Sequence, residues 1–343
     1  MSTVYFVAID SYNETRKIQR AGKQLLSTIV EKESLQLGAY VPMKVHFGEQ
    51  GNITFIGAEN YDGLVSYMHD HNIGSAFMET NVLYSGSRMT RTMHAKLAQE
   101  HGFTQLPVVI ADGEHGDDYV EVAINQKRFD SCKIGKEIAN QQQMLVVSHF
   151  KGHGLAGFGG ALKQLAMGCA ARGGKLAQHA NSKPLVNPFS CSQCGTCAKH
   201  CPVQAISIGR WSHIDKKVCV GCAACIAVCP KKAILFNPLK VSLSKTFLEK
   251  MAEYALAAQQ GKQNVYINFA FNLTKGCDCV GKKMKPVAGD VGVLASTDPV
   301  ALDQACLDLI DKREGKRVFG GRHMLDYAEK IGLGQKAYSL MPV

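Results

Sequence analysis

The sequence predicts an α/β fold with a mostly parallel sheet and flanking helices, interrupted by a cysteine-rich insert. Three observations support this prediction. Strand-like and helix-like runs alternate from residue 1 to about residue 150. Leu106–Asp112 and Met144–Phe150 are continuous apolar runs, which are typical of parallel strands buried on both faces. Eight of the thirteen cysteines fall between Cys191 and Cys229, where they replace the α/β pattern.

The spacing of apolar residues and the positions of turn residues predict the helices and strands that precede the insert. Their strands are expected at Val4–Asp10, Val41–Phe47, Ser75–Met78, Leu106–Asp112 and Met144–Phe150, and their helices at Thr15–Ile29, Tyr61–His69, Thr90–His101 and Ala161–Met167.

After the insert, the pattern predicts two helices, Leu243–Gln259 and Val300–Asp311, and strands at Val265–Phe271 and Val291–Ala295. Asp298-Pro299 supplies an N-cap carboxylate and a proline at the first position of the last helix. We therefore divide the chain into residues 1–186, the first part of the α/β domain; residues 187–238, the insert; and residues 239–343, a return segment. The return segment completes or extends the α/β domain, or it forms a separate small domain.

The insert contains CSQCGTCAKHCP and CVGCAACIAVCP, each with the spacing C-x2-C-x2-C-x3-C-P. This doubled run is the pattern of a bacterial-type ferredoxin with two [4Fe–4S] clusters, in which the fourth cysteine of each run serves the other cluster. The expected ligand sets are Cys191, Cys194, Cys197 and Cys229 for one cluster, and Cys219, Cys222, Cys225 and Cys201 for the other.

Structural zinc and disulfides are the alternatives to clusters. Zinc uses four thiolates per site and does not require a doubled run with trailing prolines. A disulfide framework belongs to small secreted chains, whereas this chain has 343 residues and concentrates its cysteines in one block. Both alternatives therefore explain the pattern less well.

The composition and charge of the chain indicate where the protein is located and which kinds of partner it binds. The start of the chain lacks the features of a signal peptide, and no apolar run reaches the roughly 18 residues of a membrane span, so we expect a cytoplasmic location. The formal net charge of +10 favours an anionic small-molecule substrate and an acidic redox partner protein. No basic stripe is interleaved with aromatic residues, which argues against nucleic acid.

A glycine-rich turn precedes the predicted helix Ala161–Met167. Gly157, Gly159 and Gly160 would let the backbone approach a ligand closely, and Lys163 lies in the first helical turn. A helix N-terminus reached through such a turn binds anions, and a lysine adds positive charge. The order of residues is not that of a Walker A loop. We predict that these residues bind a cofactor or an anion.

Several segments carry a family resemblance: KVHFGE (Lys44–Glu49), NVLYSGSR (Asn81–Arg88), SHFKGHGLAGFGGALKQLAMGCA (Ser148–Ala170), the two cysteine runs, GCDC (Gly276–Cys279) and STDPVALDQA (Ser296–Ala305). Through them the chain resembles the uncharacterised iron–sulfur centre proteins of bacteria and archaea, a domain of unknown function with an inserted two-cluster ferredoxin module. The match runs over nearly the whole chain and implies no activity.

The run HGLAGFGGALK, from His153 to Lys163, is also similar to the active-site segment of nickel-pincer lactate racemases. That resemblance implies that Lys163 carries a cofactor covalently and that His179 binds its metal. It further implies that His153 faces the substrate, that His115 is the partner in proton transfer, and that Arg88 meets the cofactor or the substrate anion.

Cys277 and Cys279 flank Asp278 beside a basic run. They are either ordinary buried thiols or the thiolate ligands of a third metal site, completed by the imidazole of His149 or His153. The other cysteines are expected in the core: Cys132, Cys169 and Cys306.

Two functional hypotheses remain open. In the first, an iron–sulfur oxidoreductase passes electrons to a pocket at the carboxyl edge of the sheet, where His115, His153, Lys163 and His179 act on an anionic substrate or hold an additional metal or organometallic cofactor. In the second, the protein is an electron carrier or redox sensor that docks partner proteins, and the histidines are structural.

Overall fold

The computed structural model describes residues 1–180, 183–235 and 244–343. Within these residues the α-helices are α1 (Thr15–Lys32), α2 (Asp62–Asp70), α3 (Arg91–Glu100), α4 (Lys136–Ala139), α5 (Ala161–Cys169), α6 (Arg172–His179), α7 (Thr196–Lys199), α8 (Ala224–Val228), α9 (Ser244–Gln259), α10 (Pro299–Glu314) and α11 (His323–Lys330). Two short 3-10 helices lie at Ala58–Tyr61 and Pro188–Ser190. None of the described helices is both long enough and apolar enough to cross a membrane.

The strands of the described residues are β1 (Ser2–Ala8), β2 (Met43–Lys44), β3 (Phe77–Glu79), β4 (Val108–Ile110), β5 (Tyr119–Ala123), β6 (Ser131–Gly135), β7 (Leu145–His149), β8 (Lys151–His153), β9 (Gly157–Gly159), β10 (Leu185–Val186), β11 (Ile206–Ile208), β12 (Ser212–Ile214), β13 (Ile234–Leu235), β14 (Val265–Ala270), β15 (Gly292–Ser296) and β16 (Tyr338–Pro342).

Eight strands form the central sheet in the order β16-β1-β15-β14-β7-β2-β3-β4. Strand β15 is antiparallel to both of its neighbours, and the other five pairings are parallel. The predicted α/β fold with a mostly parallel central sheet and flanking helices is thereby confirmed. The return segment contributes β14, β15 and β16 to this sheet.

The central strands are buried on both faces, as their continuous apolar runs indicate. In β7 every residue is buried. Leu145 and Val147 join one hydrophobic core, and Val146 joins the core on the opposite face. Because side chains alternate along a strand, one apolar run serves both cores. Helix α1 packs on the face of the sheet that carries Leu145 and Val147, and α5, α9 and α10 pack on the face that carries Val146.

The predicted elements are present, but several strands are shorter than their apolar runs. Only Met43–Lys44 is strand within the run predicted from Val41 to Phe47. The hairpin of β5 and β6, strand β16 and helix α6 were not predicted. Helix α6 has the sequence RGGKLAQH, and its two adjacent glycines oppose a helix prediction from propensity.

The cysteine-rich segment forms its own small unit. Strands β10 and β13 pair antiparallel, with Leu185 opposite Leu235, so the two ends of the segment lie side by side. Adjacent ends are what allow a module to interrupt a domain at a loop. A small core built around Ile206, Ile214 and Ile234 lies between them. The predicted end of this unit at residue 238 lies outside the described residues.

The N-terminus of α5 is occupied by a carboxylate of the chain itself. Asp303 of α10 accepts hydrogen bonds from the backbone N–H groups of Ala161 (2.8 Å) and Leu162 (2.9 Å), and from the Asn268 side chain (2.8 Å). A Cβ atom at Gly160 would lie only 2.2 Å from an Asp303 carboxylate oxygen. Asp303 therefore fills the position that a bound anion would take at this helix.

We expect Asp303→Ala to lower the free energy of unfolding by about 3 kcal/mol, because it leaves two buried helical N–H groups without an acceptor. The matched control is Asp308→Ala on the same helix, since Asp308 is exposed and should cost less than about 1 kcal/mol. Urea-induced unfolding followed by circular dichroism measures both values. Equal losses for the two variants would show that the Asp303 contacts do not stabilise the fold.

Candidate functional site

The cysteine-rich segment contains two cavities, and four cysteines line each of them. One cavity is lined by Cys191, Cys194, Cys197 and Cys229, and the other by Cys201, Cys219, Cys222 and Cys225. In both sets the fourth cysteine comes from the opposite run, which is the arrangement expected from the ferredoxin pattern.

The loops that present these thiols have the same geometry in both runs. Backbone N–H groups donate to cysteine sulfur at equivalent positions, from Ala205 to Cys201 (3.2 Å) and from Ala233 to Cys229 (3.2 Å). Such bonds stabilise charge on sulfur. All thirteen cysteines of the chain are described, and each carries a free thiol. The two sets can therefore serve as thiolate ligands.

A second kind of cavity lies in the α/β body, with a volume of about 100 Å³. A water molecule occupies about 30 Å³ in the liquid, so this cavity admits a few waters or a small ligand. It brings together four residues that the sequence singled out, Arg88, His153, Lys163 and His179. It also contains Cys279, a candidate metal ligand from the sequence, and ionisable residues that were not predicted: His46, Glu79 and Lys175.

Arg88 is held in place by neighbours from its own loop and from the loop after β2. Its Nε donates to a carboxylate oxygen of Glu49 (3.1 Å), and its Nη2 donates to the hydroxyl of Tyr84 (2.5 Å). Its Nη1 lies 3.0 Å from Nε2 of His46. A guanidinium retains its charge when buried. The side chain therefore presents a fixed positive charge to the cavity.

Lys163 approaches the cavity from the first turn of α5. Its Nζ lies 3.3 Å from Sγ of Cys277. Burial lowers the pKa of Lys163, but Cys277, Cys279 and Asp278 together outweigh burial, and the pKa is raised overall. The charged ammonium would attract an anion. The covalent attachment role that the racemase resemblance implies for Lys163 stays a prediction.

Burial lowers the pKa of all three histidines that line the cavity, His46, His153 and His179. Burial lowers the pKa of His179 to about 4, with His153 and Lys163 acting in the same direction. Burial also lowers the pKa of His153. The ring of His179 packs beside the ring of Phe247, with 5.2 Å between centroids. The positive charge of the cavity therefore comes from Arg88 and the lysines.

Lys175 adds the third cation and comes from α6. Its Nζ donates to the hydroxyl of Thr80 (2.5 Å) and to the carbonyl of Ala170 (2.6 Å). Glu79 is the carboxylate in the lining, and it already pairs with Lys44 at 2.7 Å. Arg88 is paired with Glu49 and Lys163 with Cys277, so the positive charge that favours a small anion comes chiefly from Lys175, whose contacts are a hydroxyl and a carbonyl.

Two predicted site residues lie elsewhere. The ring of His115 stands edge-on to that of His200, with 5.1 Å between centroids, beside the second cysteine set. His149 has both ring nitrogens engaged, Nδ1 with Asp278 (2.9 Å) and Nε2 with the carbonyl of Phe271 (2.7 Å). His115 therefore does not join the cavity histidines, and His149 is not available as a metal ligand.

The glycine-rich turn lies close to other parts of the chain. At Gly157 the backbone has φ of +83°, and a Cβ atom there would lie 2.3 Å from the backbone of Gly320. Gly160 makes room for Asp303, and Gly159 lies against the Lys163 side chain. These glycines allow close packing of the chain against itself, and the binding of a cofactor by Gly157, Gly159 and Gly160 stays a prediction.

A larger cavity of about 660 Å³ lies between the α/β body and the cysteine-rich segment. Four lysines line it, and each ammonium group donates to a backbone carbonyl; they are Lys133, Lys183, Lys216 and Lys250. The bond from Lys133 to the carbonyl of Val220 joins the α/β body to the cysteine-rich segment, whereas that from Lys250 to Ala177 lies within the body. We therefore take the smaller cavity, whose titratable groups converge, as the candidate site.

The sequence is similar to two kinds of known protein. A family model described as "Domain of unknown function (DUF362)" matches residues 41–308.

One component of an ion-translocating oxidoreductase complex of Methanosarcina acetivorans is 44% identical over 45 residues, which cover 13% of this chain and 17% of that component. Ferredoxin-2 of Chlorobaculum tepidum is 44% identical over 52 residues, 13% of this chain and 84% of that ferredoxin. A short segment of the chain is thus ferredoxin-like.

Among solved structures, the lactate racemase apoprotein from Thermoanaerobacterium thermosaccharolyticum is weakly similar. Its sequence identity is 11% and its TM-score is 0.37. The superposition covers 90% of this chain and 58% of the racemase.

We expect anion binding in the smaller cavity to weaken as the pH rises through about 8. Burial lowers the pKa of Lys175 to about 8, against the opposing effects of Asp112 and Glu79. Below this pKa the ammonium attracts an anion, and above it the neutral amine does not. Calorimetric titration with acetate should show affinity falling about tenfold between pH 7 and pH 9, the effect of one lost charge.

The matched variant is Lys175→Met, which should bind acetate weakly at every pH and lose most of this pH dependence. If wild type and Lys175→Met show the same pH profile, Lys175 does not bind the anion.

Proposed function

The chain belongs to the DUF362 family, and because that description assigns no activity, we propose a function from the site itself. We propose that the protein is an iron–sulfur oxidoreductase. In this proposal two [4Fe–4S] clusters are held in the ferredoxin-like segment, which delivers electrons to a small anionic substrate in the cavity of the α/β body. The alternative, a carrier or sensor without its own substrate, would leave the convergent cavity residues unexplained.

The cysteine sets are suited to the clusters. Cys191, Cys194, Cys197 and Cys229 would hold one cluster, and Cys201, Cys219, Cys222 and Cys225 would hold the other. When bound, each cluster accepts or releases one electron, at a potential set by hydrogen bonds to sulfur and by exposure. The backbone N–H groups directed at sulfur would contribute to that potential.

One observation carries the proposal of electron delivery: helix α6 contacts both sites. A Cβ atom at Gly173 would lie 2.6 Å from the carbonyl of Gly221 and 2.9 Å from Cα of Cys222, so the helix touches the second cysteine set directly. On the same helix Lys175 and His179 line the cavity. An α-helix with its side chains is about 10 Å across, so the two sites are separated by about that distance.

Apolar contacts support the same route. Leu176 of α6 and Ala180, the residue after the helix, pack with Ala223 of the second cysteine loop, and Leu83 joins this cluster. Leu83 also lines the cavity. An apolar cluster therefore connects the ferredoxin-like segment with the cavity wall, beside the larger cavity, and would give electron transfer a fixed path.

The first cysteine set would receive electrons from a redox partner protein. Cys194 is exposed, and nearby Phe189 is 98% exposed. Two basic residues, Arg210 and Lys231, are exposed beside the same set. The carbonyl of Arg210 accepts a hydrogen bond from the Gln193 side chain. Basic and apolar surface together would suit an acidic partner with an apolar contact patch.

We expect anaerobically purified protein to contain about eight irons and eight sulfides per chain. Cys219→Ala and Cys201→Ala should each reduce iron to about four, and the double variant should also retain about four, because both residues would serve one cluster. Combining Cys191→Ala with Cys201→Ala should remove nearly all iron. Iron and acid-labile sulfide assays measure these values.

Cys132→Ala is the control, since Cys132 is buried in β6, and it should retain the full iron content. Loss of all iron in the Cys201/Cys219 double variant would contradict the crossed ligand sets.

We expect the dithionite-reduced protein, freed of excess dithionite, to be reoxidised by at least one compound in a panel of small anionic oxidants. Cluster absorbance reports the reaction. Lys175→Met should lower the apparent affinity for that anion by about tenfold, because it removes one cavity charge. Its clusters should still be reduced by dithionite at the wild-type rate, because the variant leaves the cysteine sets intact.

Lys127→Met is the control for charge, because this largely exposed lysine does not line the cavity, and its partner Glu249 also pairs with Arg128. Reoxidation that is equally fast in Lys175→Met, or that no small anion produces, would favour a carrier without a substrate site.

A further inference from the structure

Cys277 and Cys279 lie on a loop that is anchored between them. The carboxylate of Asp278 is fully buried and contacts Nζ of Lys151 (2.6 Å) and Nδ1 of His149 (2.9 Å). The backbone carbonyl of Asp278 accepts a hydrogen bond from the N–H of Glu49 (3.1 Å). With the central residue fixed in the body, the two flanking cysteines point away from it and toward each other.

Hydrogen-bond donors converge on the sulfur of Cys277. Nζ of Lys163 lies 3.3 Å away, and the backbone N–H of Cys279 lies 3.4 Å away. The side chains of Cys279 and His153 also donate to it. The bond from Cys279 lowers the pKa of Cys277 well below its usual value, with further contributions from Lys163 and His153, and together these outweigh burial. Such donors stabilise negative charge on this sulfur.

Cys279 is the partner that reaches the cavity. Cys277 is only 3% exposed, whereas Cys279 lines the cavity beside Arg88. Its hydrogen bond to Cys277 lets the two sulfurs share one proton. A cavity-facing sulfur next to a buried sulfur is the arrangement of an attacking and a resolving cysteine.

The same geometry argues against a metal at this position. Nitrogen or sulfur atoms of His153, Cys277 and Cys279 lie within 4.8 Å of one another. However, Nδ1 of His153 accepts a hydrogen bond from the N–H of Ala156 (2.9 Å), which leaves Nε2 to carry the ring proton. A protonated nitrogen has no lone pair for a metal. The ring is therefore a donor to sulfur.

We propose that Cys277 and Cys279 are a redox-active dithiol that reduces a small anionic disulfide bound in the cavity. The disulfide-exchange step is argued from these two residues, and the regeneration of the dithiol rests on the proposed function. The cations of the cavity would bind the carboxylate of the substrate, and its sulfur–sulfur bond would lie against Cys279.

The proposed reaction begins at the cavity-facing sulfur, and the two cysteines share one proton. With this proton on Cys277, Sγ of Cys279 attacks one substrate sulfur as a thiolate, and the first substrate half leaves as a thiolate. Cys277 then attacks Sγ of Cys279, and its proton leaves with the second half as a thiol. Two electrons from the ferredoxin-like segment and one proton restore the thiolate and thiol. The sum is one disulfide, two electrons and one proton converted to one thiolate and one thiol.

The test uses the complete, cluster-loaded protein without oxygen. One equivalent of 3,3′-dithiodipropionate should form a Cys277–Cys279 disulfide, found by mass spectrometry as a loss of two hydrogens in the peptide that contains both residues. The uncharged 2-hydroxyethyl disulfide should react about tenfold more slowly, because it lacks the charge that the cavity cations attract. Equal rates for the two disulfides would overturn the proposed anion selectivity.

Cys277→Ala and Cys279→Ala should abolish the internal disulfide, whereas Cys132→Ala should leave it unchanged. In Cys277→Ala a mixed disulfide should accumulate on Cys279, because the resolving sulfur is absent. Lys163→Met should slow formation of the internal disulfide about tenfold, and Lys163→Arg should restore most of the rate, since it keeps the charge beside Cys277.

Three results would overturn the dithiol: no internal disulfide in wild type, modification at other cysteines only, or one zinc, nickel or cobalt per chain that Cys277→Ala removes. Failure of the proposed function is distinguishable from these. If the disulfide forms but the reduced clusters do not reduce it again, the result supports the redox-active dithiol and contradicts the proposed electron delivery from the ferredoxin-like segment.

Discussion

The buried carboxylate of Asp278 determines the geometry of the candidate site. Burial alone raises a carboxyl pKa, but His149 and Lys151 outweigh burial and lower the pKa of Asp278 well below its usual range. A buried ion pair stabilises little by itself, because desolvation offsets most of the attraction. Its effect here is positional, since it fixes a loop between two strands of the sheet and determines where both neighbouring cysteines point.

The same constraint explains why the cavity is cationic. Arg88, Lys163 and Lys175 come from a loop, from α5 and from α6, and each is held by a partner that leaves its charge directed at the cavity. The negative groups near them are already paired, Glu79 with Lys44 and Cys277 with Lys163. An incoming anion would therefore meet positive charge that is positioned before it binds, which reduces the cost of ordering the site.

The sequence allowed parts of this arrangement to be predicted, and physical reasons separate those parts from the rest. The cysteine spacing is local, so the two four-cysteine cavities match the sets expected from it. Arg88, His153, Lys163 and His179 meet because loops at one edge of a parallel sheet converge. The roles of His149 and Gly160 depend instead on Asp278 and Asp303, which are more than a hundred residues away. No local pattern reveals such partners.

Helix α6 shows how far such contacts control local structure. Its sequence has two adjacent glycines, and each costs about 1 kcal/mol relative to alanine in a helix. A Cβ atom at Gly174 would lie 2.6 Å from the carbonyl of Lys133, while Gly173 meets Cys222 on the other side. The helix is thus stabilised by close packing on two sides rather than by its own propensity. Because this helix also carries Lys175 and His179, a shift of the second cysteine loop would move two residues of the cavity. The fold therefore couples the position of the ferredoxin-like segment to the electrostatics of the site it would serve.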